Sequence, residues 1–201
     1  MLLTSETNKL DPRVRRTRQL LLRALQDLMA EKPFQSITVG DIAERATVNR
    51  ATFYAHFDDK YALLEFSVRE MFRERLRREL PEIHPFGPRG LETLIQAVCD
   101  FVAEMGGHCP PPHGQYEPLM EKQIKAEVSE ILRLWLAERK PRRTLRGASP
   151  DLAAVVASWA IYGAAVQWSQ RERRGPSADF ARQVLPLVMA NLGLDIVRTA
   201  K

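Results

Sequence analysis

Hydrophobic residues recur along this chain at intervals of three and four, which is the spacing of one face of an α-helix. No alternating pattern typical of a strand occurs over any length. Proline and glycine clusters divide the periodic stretches, for example at 81–89, 106–115 and Gly175-Pro176. The pattern therefore predicts an all-α fold, with helices at residues 12–32, 38–46, 49–56, 60–80, 90–105, 117–139, 150–171 and 177–191.

Helix starts are marked by residues that accept backbone hydrogen bonds. Proline follows the cap at Asp11 and at Ser149, which suits the first helical position. The predicted N-caps are Asp11, Thr38, Asn49, Ser149 and Ser177.

The segment 37–60 contains two short helices joined by a tight turn. This is the layout of a helix-turn-helix, whose second helix enters the DNA major groove. On that helix Ala51, Tyr54 and Ala55 form one side and Phe53 and Phe57 form another. Only one of these two sides can pack into the core, so the other leaves aromatic surface exposed beside Arg50, Thr52 and His56. A compact three-helix packing unit in a larger helical protein has the same spacing, and spacing alone leaves both interpretations open.

Several side chains here suit nucleic acid. Arginine pairs with guanine, and threonine contacts a base, a phosphate or a thymine methyl. Tyr54 can reach a phosphate through its hydroxyl, and Lys60 is expected to grip one at the start of the next helix. The predicted DNA-binding residues are Thr38, Gly40, Asn49, Arg50, Ala51, Thr52, Tyr54, His56, Lys60, Arg13 and Arg16.

Residues 13–66 resemble the N-terminal domain of the TetR/AcrR family of one-component transcriptional regulators. The matching residues are Thr38, Asp41-Ile42-Ala43, Ala46, Val48, Thr52-Phe53-Tyr54, His56-Phe57, Lys60 and Ala62-Leu63-Leu64. The remainder resembles the family only in being helical. The resemblance implies an N-terminal three-helix helix-turn-helix DNA-binding domain plus a larger C-terminal helical domain for ligand binding and dimerisation.

The chain departs from the family pattern at two positions. Thr47 stands where the family usually has glycine, and a β-branched residue there is strained if the backbone needs positive φ. Gly40 stands where the family often has a basic residue, so one common DNA contact is expected to be missing.

The expected domain organisation follows from these segments. Residues 1–10 form a flexible arm, 11–59 the DNA-binding domain, 60–80 a connecting helix, and 81–201 the ligand-binding and dimerisation domain.

Charge is concentrated where DNA contact is expected. The chain of 201 residues has a net charge of +5, and residues 9–50 hold an excess of four positive charges. Arg13, Arg15, Arg16 and Arg18 crowd the start of the first helix, where cations oppose the helix dipole. Phosphate contact would offset this, although a solvated basic face is the alternative. With 45% apolar and 27% charged residues, the composition is that of a folded globular protein.

The sequence also bears on compartment and on metals. No uninterrupted apolar run reaches the roughly 18 residues of a membrane span, and the N-terminus lacks a signal-peptide pattern. A cytoplasmic protein without a membrane partner is expected. Cys99 and Cys109 are interpreted as buried or loop thiols, with redox sensing as the alternative. His108, Cys109 and His113 could ligate a metal, but intervening prolines stiffen the loop; no metal, catalytic residue or cofactor is predicted.

The helix at 150–171 is apolar nearly all round, so it must bury two faces. One would meet its own domain and the other a second copy, although a monomeric core helix remains an alternative. The predicted interface residues are Ala153, Ala157, Ala160, Ala164, Phe180, Val184, Leu187 and Val188.

Aromatic residues of the body suit either an apolar ligand pocket or an ordinary core. The family resemblance favours the pocket. The predicted ligand-binding residues are Phe101, Met105, Trp135, Trp159, Tyr162 and Trp168.

Together these features predict a homodimeric, sequence-specific DNA-binding regulator that is not an enzyme. Its partners would be double-stranded operator DNA, a second copy, and a small, largely apolar effector that releases a repressor from its operator. An all-helical enzyme is disfavoured, because no nucleophile–base pair, metal set or phosphate loop is evident. An architectural DNA-binding protein without an effector remains the alternative.

Overall fold

The computed structural model describes residues 11–80, 87–108, 117–138 and 148–194, which contain no strand. A short 3-10 turn, Phe34–Ser36, follows the first helix. The expected all-α fold is confirmed for this part of the chain. Its helices are α1 (Pro12–Glu31), α2 (Val39–Arg45), α3 (Arg50–Tyr54), α4 (Lys60–Glu79), α5 (Pro88–His108), α6 (Glu117–Ala137), α7 (Pro150–Ser169) and α8 (Ser177–Asn191).

Four of the five predicted N-caps form. Asp11, Thr38, Asn49 and Ser149 each accept a backbone amide from the first turn of their helix. The prediction for Ser177 is wrong, because Pro176 occupies the N-cap position and Ser177 is the first helical residue.

Several predicted helix boundaries also change, and α6 and α7 each end two residues before the predicted position. The segment 106–115 was expected to be irregular, yet α5 continues through His108. Glycine disfavours a helix by only about 1 kcal/mol per residue, which an established helix can absorb at its end. The helix α3 ends at Tyr54, two residues early. Cys109 and His113 lie outside the described residues, within which no three metal-ligating side chains converge.

The chain divides into two compact units, with the boundary inside α4 between Glu70 and Met71. In the first unit, α1 contributes Leu21 and Leu25 to the core. Phe53 and Phe57 are both buried, whereas Tyr54 is 56% exposed. The phenylalanine side of α3 therefore packs inward, and the tyrosine side faces outward.

In the second unit α7 contacts α5, α6 and α8. Ala154, Ala157, Ile161 and Ala165 form its fully buried side. The helix α7 is long and apolar enough to cross a membrane, a property that the core helices of other proteins share. Of its most apolar 18-residue stretch, 39% is buried within the chain.

Candidate functional site

The turn between α2 and α3 is tight and strained. Thr47 has a φ of 57°, the one positive value at a non-glycine position among the described residues. Its amide donates to the carbonyl of Glu44, and the amide of Val48 donates to that of Ala43. Because a β-branched residue is unfavourable in the left-handed region, the strain expected at Thr47 is present.

The outer surface of α3 carries polar and aromatic groups. Asn49, Arg50, Ala51 and Tyr54 are exposed. Asn49 Oδ1 accepts from the backbone nitrogen of Thr52 at 2.6 Å and from its hydroxyl at 2.9 Å. Thr52 therefore fastens the cap of α3.

The start of α2 is held by a capping box between Thr38 and Asp41. The Thr38 hydroxyl accepts from the Asp41 amide at 3.1 Å, and Asp41 accepts from the Thr38 amide at 2.8 Å. Lys32 also donates to Asp41 at 2.9 Å, and these hydrogen bonds, led by that of Lys32, lower the Asp41 pKa to about 2. A surface groove between α2 and α3 is lined in part by Thr38, Gly40, Asn49 and Arg50.

Lys60 lies at the start of α4, as predicted, but its ammonium is directed at the 3-10 turn. Its ammonium donates to the carbonyl oxygens of Phe34, Gln35 and Ile37 at 3.0, 3.0 and 2.8 Å. It also lies 4.7 Å from the Phe34 ring centroid. Burial lowers its pKa. With three carbonyl partners the ammonium fastens the 3-10 turn to α4, an arrangement that competes with the predicted phosphate contact.

Some of the basic side chains are likewise engaged within the fold. Arg45 makes two hydrogen bonds to Glu31, and Lys32 pairs with Asp41. Arg18 lies over the rings of Phe57 and Phe66, at 5.6 and 5.3 Å. Each ion pair also takes up an acid, so the net excess of four positive charges is unchanged, but fewer basic side chains are available to DNA.

Arg13 and Arg16 are exposed on the first turns of α1, as phosphate contact requires. His56 is half-buried, and burial, followed by the charge of Arg18, lowers its pKa. The neutral form of the imidazole is thereby favoured.

The predicted dimer residues fall on two different faces. Phe180, Val184 and Val188 of α8 are buried in their own chain, as are Ala153 and Ala157 of α7. These five are core residues and expose too little surface for a partner. Ala160 and Leu187 are exposed, and Ala164 is half-buried.

The outer side of α7 carries an exposed apolar stripe, of which only Ala160 was predicted as an interface residue. Its members recur at helical spacing, and Trp159 is the largest, with 58% of its surface exposed. Because α7 is apolar on every side, its sequence does not distinguish this outer face from the core face. The stripe consists of Leu152, Val155, Val156, Trp159 and Ala160, with Gly163 beyond.

The six predicted ligand-binding residues do not share one environment. Phe101 packs on Phe72 with ring centroids 5.0 Å apart, and Trp168 stacks on Phe180 at 6.2 Å. Trp135 is buried, and Met105 and Tyr162 are half-buried. Trp159 faces outward with the Lys125 ammonium 2.9 Å from its ring centroid. Trp159 is therefore better interpreted as part of the outer stripe than as a pocket residue, and Trp168 as part of the packing between α7 and α8.

The geometry of α2, the turn and α3 defines a helix-turn-helix domain of the DNA-binding class. Residues 21–65 match the family model described as bacterial regulatory proteins, tetR family. Residues 21–65 are therefore similar to the DNA-binding domain of the TetR family, as the resemblance indicated.

Individual relatives match over the same region. The uncharacterized HTH-type transcriptional regulator YxbF of Bacillus subtilis (strain 168) is 39% identical over 67 residues, which are 33% of this chain and 18% of that protein. The tetracycline repressor protein class G of Vibrio anguillarum is 41% identical over 56 residues, 28% of this chain and 27% of that protein. The chain thus spans less than a third of either relative's length in these matches.

Solved structures extend the likeness in fold to most of the chain. A TetR transcriptional regulator from Streptococcus agalactiae 2603V has a TM-score of 0.53 at 16% identity, covering 88% of this chain and 95% of that one. FadR from Bacillus subtilis, in complex with stearoyl-CoA, has a TM-score of 0.52 at 17% identity, covering 86% and 98%. At these identities the likeness establishes the fold.

Proposed function

We propose that this chain is a cytoplasmic, sequence-specific transcriptional regulator that binds operator DNA as a homodimer. The exposed polar surface of α3, on a TetR-family helix-turn-helix, is the observation that carries the proposal. Asn49, Ala51 and Tyr54 are the groups proposed to face base edges and adjacent phosphates. Arg13 and Arg16 add phosphate contacts from α1.

The exposed stripe of α7, together with Leu187 of α8, supports the homodimer. Isolated hydrophobic side chains on a surface are normal, but the stripe residues recur along one face of α7. On α8, Leu187 is 73% exposed. Two copies related by a two-fold axis would bury the same stripe on both. Their recognition helices would then meet half-sites about one helical turn apart, roughly 34–36 Å.

We further propose that the chain is a repressor released by a small, largely apolar effector bound in the second unit. Within that unit α4 is tied to α6 by Arg73–Glu127, at 2.8 Å, and to α5 by Arg75–Glu104. An effector that shifts α5 or α6 would therefore move α4. Release requires that the effector bind the two arrangements with different affinity. The acyl-CoA carried by the FadR structure makes acyl chains a reasonable first class to screen.

The experiment is selection of duplexes from a random pool by the purified protein, followed by sequencing. Enrichment of a near-palindrome supports a dimeric sequence-specific regulator. Raising salt from about 50 to 200 mM should then weaken binding roughly a thousandfold if about six phosphates are neutralised. Retention without enrichment would contradict the proposal.

An architectural DNA-binding protein without an effector is the second candidate. Thermal-shift screening with acyl-CoA and small apolar compounds separates the two, since only a sensor is stabilised by a ligand. A reporter under the enriched operator then gives the sign of control: repression relieved by a stabilising compound supports the proposal, and activation contradicts it.

A further inference from the structure

Gly40 leaves a space that the Arg50 side chain fills. A Cβ atom at Gly40 would lie 2.5 Å from Arg50 Nη2, 3.2 Å from Cζ and 3.3 Å from Nε. The first distance is shorter than any ordinary carbon contact. The guanidinium of α3 therefore lies against the first turn of α2, where every other residue type would place its side chain.

Backbone conformation does not explain glycine at this position. Gly193 is the glycine with positive φ among the described residues, and Gly40 has none. Glycine is also one of the least favourable residues within a helix. What Gly40 contributes is thus the absence of a side chain, and the group that uses this absence is Arg50.

We propose that Gly40 is a positioning residue, which holds the Arg50 guanidinium over α2 for contact with a DNA phosphate. This inference rests on the proposed function. The first helix of a helix-turn-helix crosses the DNA backbone while the second enters the groove. A guanidinium that lies back over α2 is therefore placed for phosphate, whereas the guanine contact suggested by the sequence would need it beside Ala51 and Tyr54.

The two roles of an arginine give different signatures. Loss of a phosphate contact weakens binding to all sequences about equally and lowers the salt slope by about one, whereas loss of a base contact relaxes preference at one position. Arg50→Ala is expected to show the first signature on the enriched duplex and on a duplex with its guanines replaced.

Gly40→Ala separates positioning from folding. The atoms that a new Cβ would meet are the far end of a flexible, exposed side chain, so that side chain can move without disturbing the core. Alanine also favours a helix over glycine. The variant should therefore melt at the same or a higher temperature, yet bind DNA more weakly.

The test is a double-mutant cycle with Gly40→Ala, Arg50→Ala and the double variant, measured on the same duplexes at several salt concentrations. We expect Gly40→Ala to weaken binding to all duplexes about equally and to lower the salt slope by up to about one, as the loss of one phosphate contact does. The double variant should bind like Arg50→Ala alone.

Three results would overturn the inference: an equal effect of Gly40→Ala with and without Arg50, no loss of affinity, or a guanine-specific signature for Arg50→Ala. These differ from failure of the proposed function, in which the unmodified protein enriches no duplex at all.

Discussion

Replacement of Lys60 by methionine tests whether this residue is a structural tie or a phosphate ligand. Methionine keeps most of the aliphatic stem but removes the three hydrogen bonds to Phe34, Gln35 and Ile37. The bonds to Phe34 and Ile37 are part-buried and the one to Gln35 is exposed. Leaving a buried acceptor without its partner costs about 1–3 kcal/mol, less where water can enter. We expect the first unit to lose about 2–3 kcal/mol of its unfolding free energy.

The assay is urea denaturation followed by circular dichroism and by tryptophan fluorescence. All three tryptophans lie in the second unit, at 135, 159 and 168. Fluorescence therefore follows that unit, whereas circular dichroism follows both. Hydrogen exchange of peptides covering 34–45 locates the loss, and protection there should fall in Lys60→Met.

Two further variants make the result decisive. Lys60→Arg keeps the positive charge but replaces the compact ammonium by a planar group that cannot meet three converging carbonyls. It should lose stability like Lys60→Met. Arg16→Met, on an exposed arginine, should lower the salt slope of DNA binding and leave stability unchanged. The structural assignment of Lys60 would be wrong if Lys60→Met kept its full unfolding free energy but lowered the salt slope of DNA binding by about one. In that case Lys60→Arg would match the unmodified protein in both stability and DNA binding.

Four other changes have defined outcomes. Thr47→Gly should raise the urea midpoint by an amount equivalent to about 1 kcal/mol, because the left-handed backbone no longer carries a Cβ. Thr47→Ala should raise the midpoint by less, and a lower midpoint for Thr47→Gly would show that Thr47 is not strained. Asp41 has a pKa lowered from 3.8 to about 2, so the stability that its carboxylate contributes is complete above pH 4 and is lost as the pH falls toward 2. Asp41→Asn should remove that part of the acid-induced unfolding, measured by a pH titration followed by circular dichroism. Leu187→Arg should halve the mass seen in sedimentation while the helical signal stays the same, and an unchanged dimer would exclude α8 from the interface. Tyr54→Ala should weaken binding to the enriched duplex by about 0.5–1.5 kcal/mol, the net value of one hydrogen bond, with dimer mass unchanged. Loss of the dimer would contradict the place of Tyr54 on the DNA surface.

Local features of the first unit could be predicted because their causes are local. A cap such as Asn49 is fixed by the residue that can accept an amide and by the periodic stretch that follows. The strain at Thr47 followed from one position in a recognised turn. The same holds for the helices themselves, whose positions depend on spacing and on the prolines between them.

The sequence did not predict which group each charged side chain contacts, or which side of each helix faces the solvent. Lys60 and Arg50 are both basic residues near a recognition helix, yet one meets carbonyls 23–26 residues away and the other fills the space at Gly40.

For α7 the pattern carries no contrast, since all its sides are apolar, so only packing against α5, α6 and α8 decided that Ala157 is core and Val156 is surface. Periodicity alone determines a helix and its caps, because these depend on neighbours in the chain. The use of a side chain depends on groups that only the folded chain brings within a few ångströms.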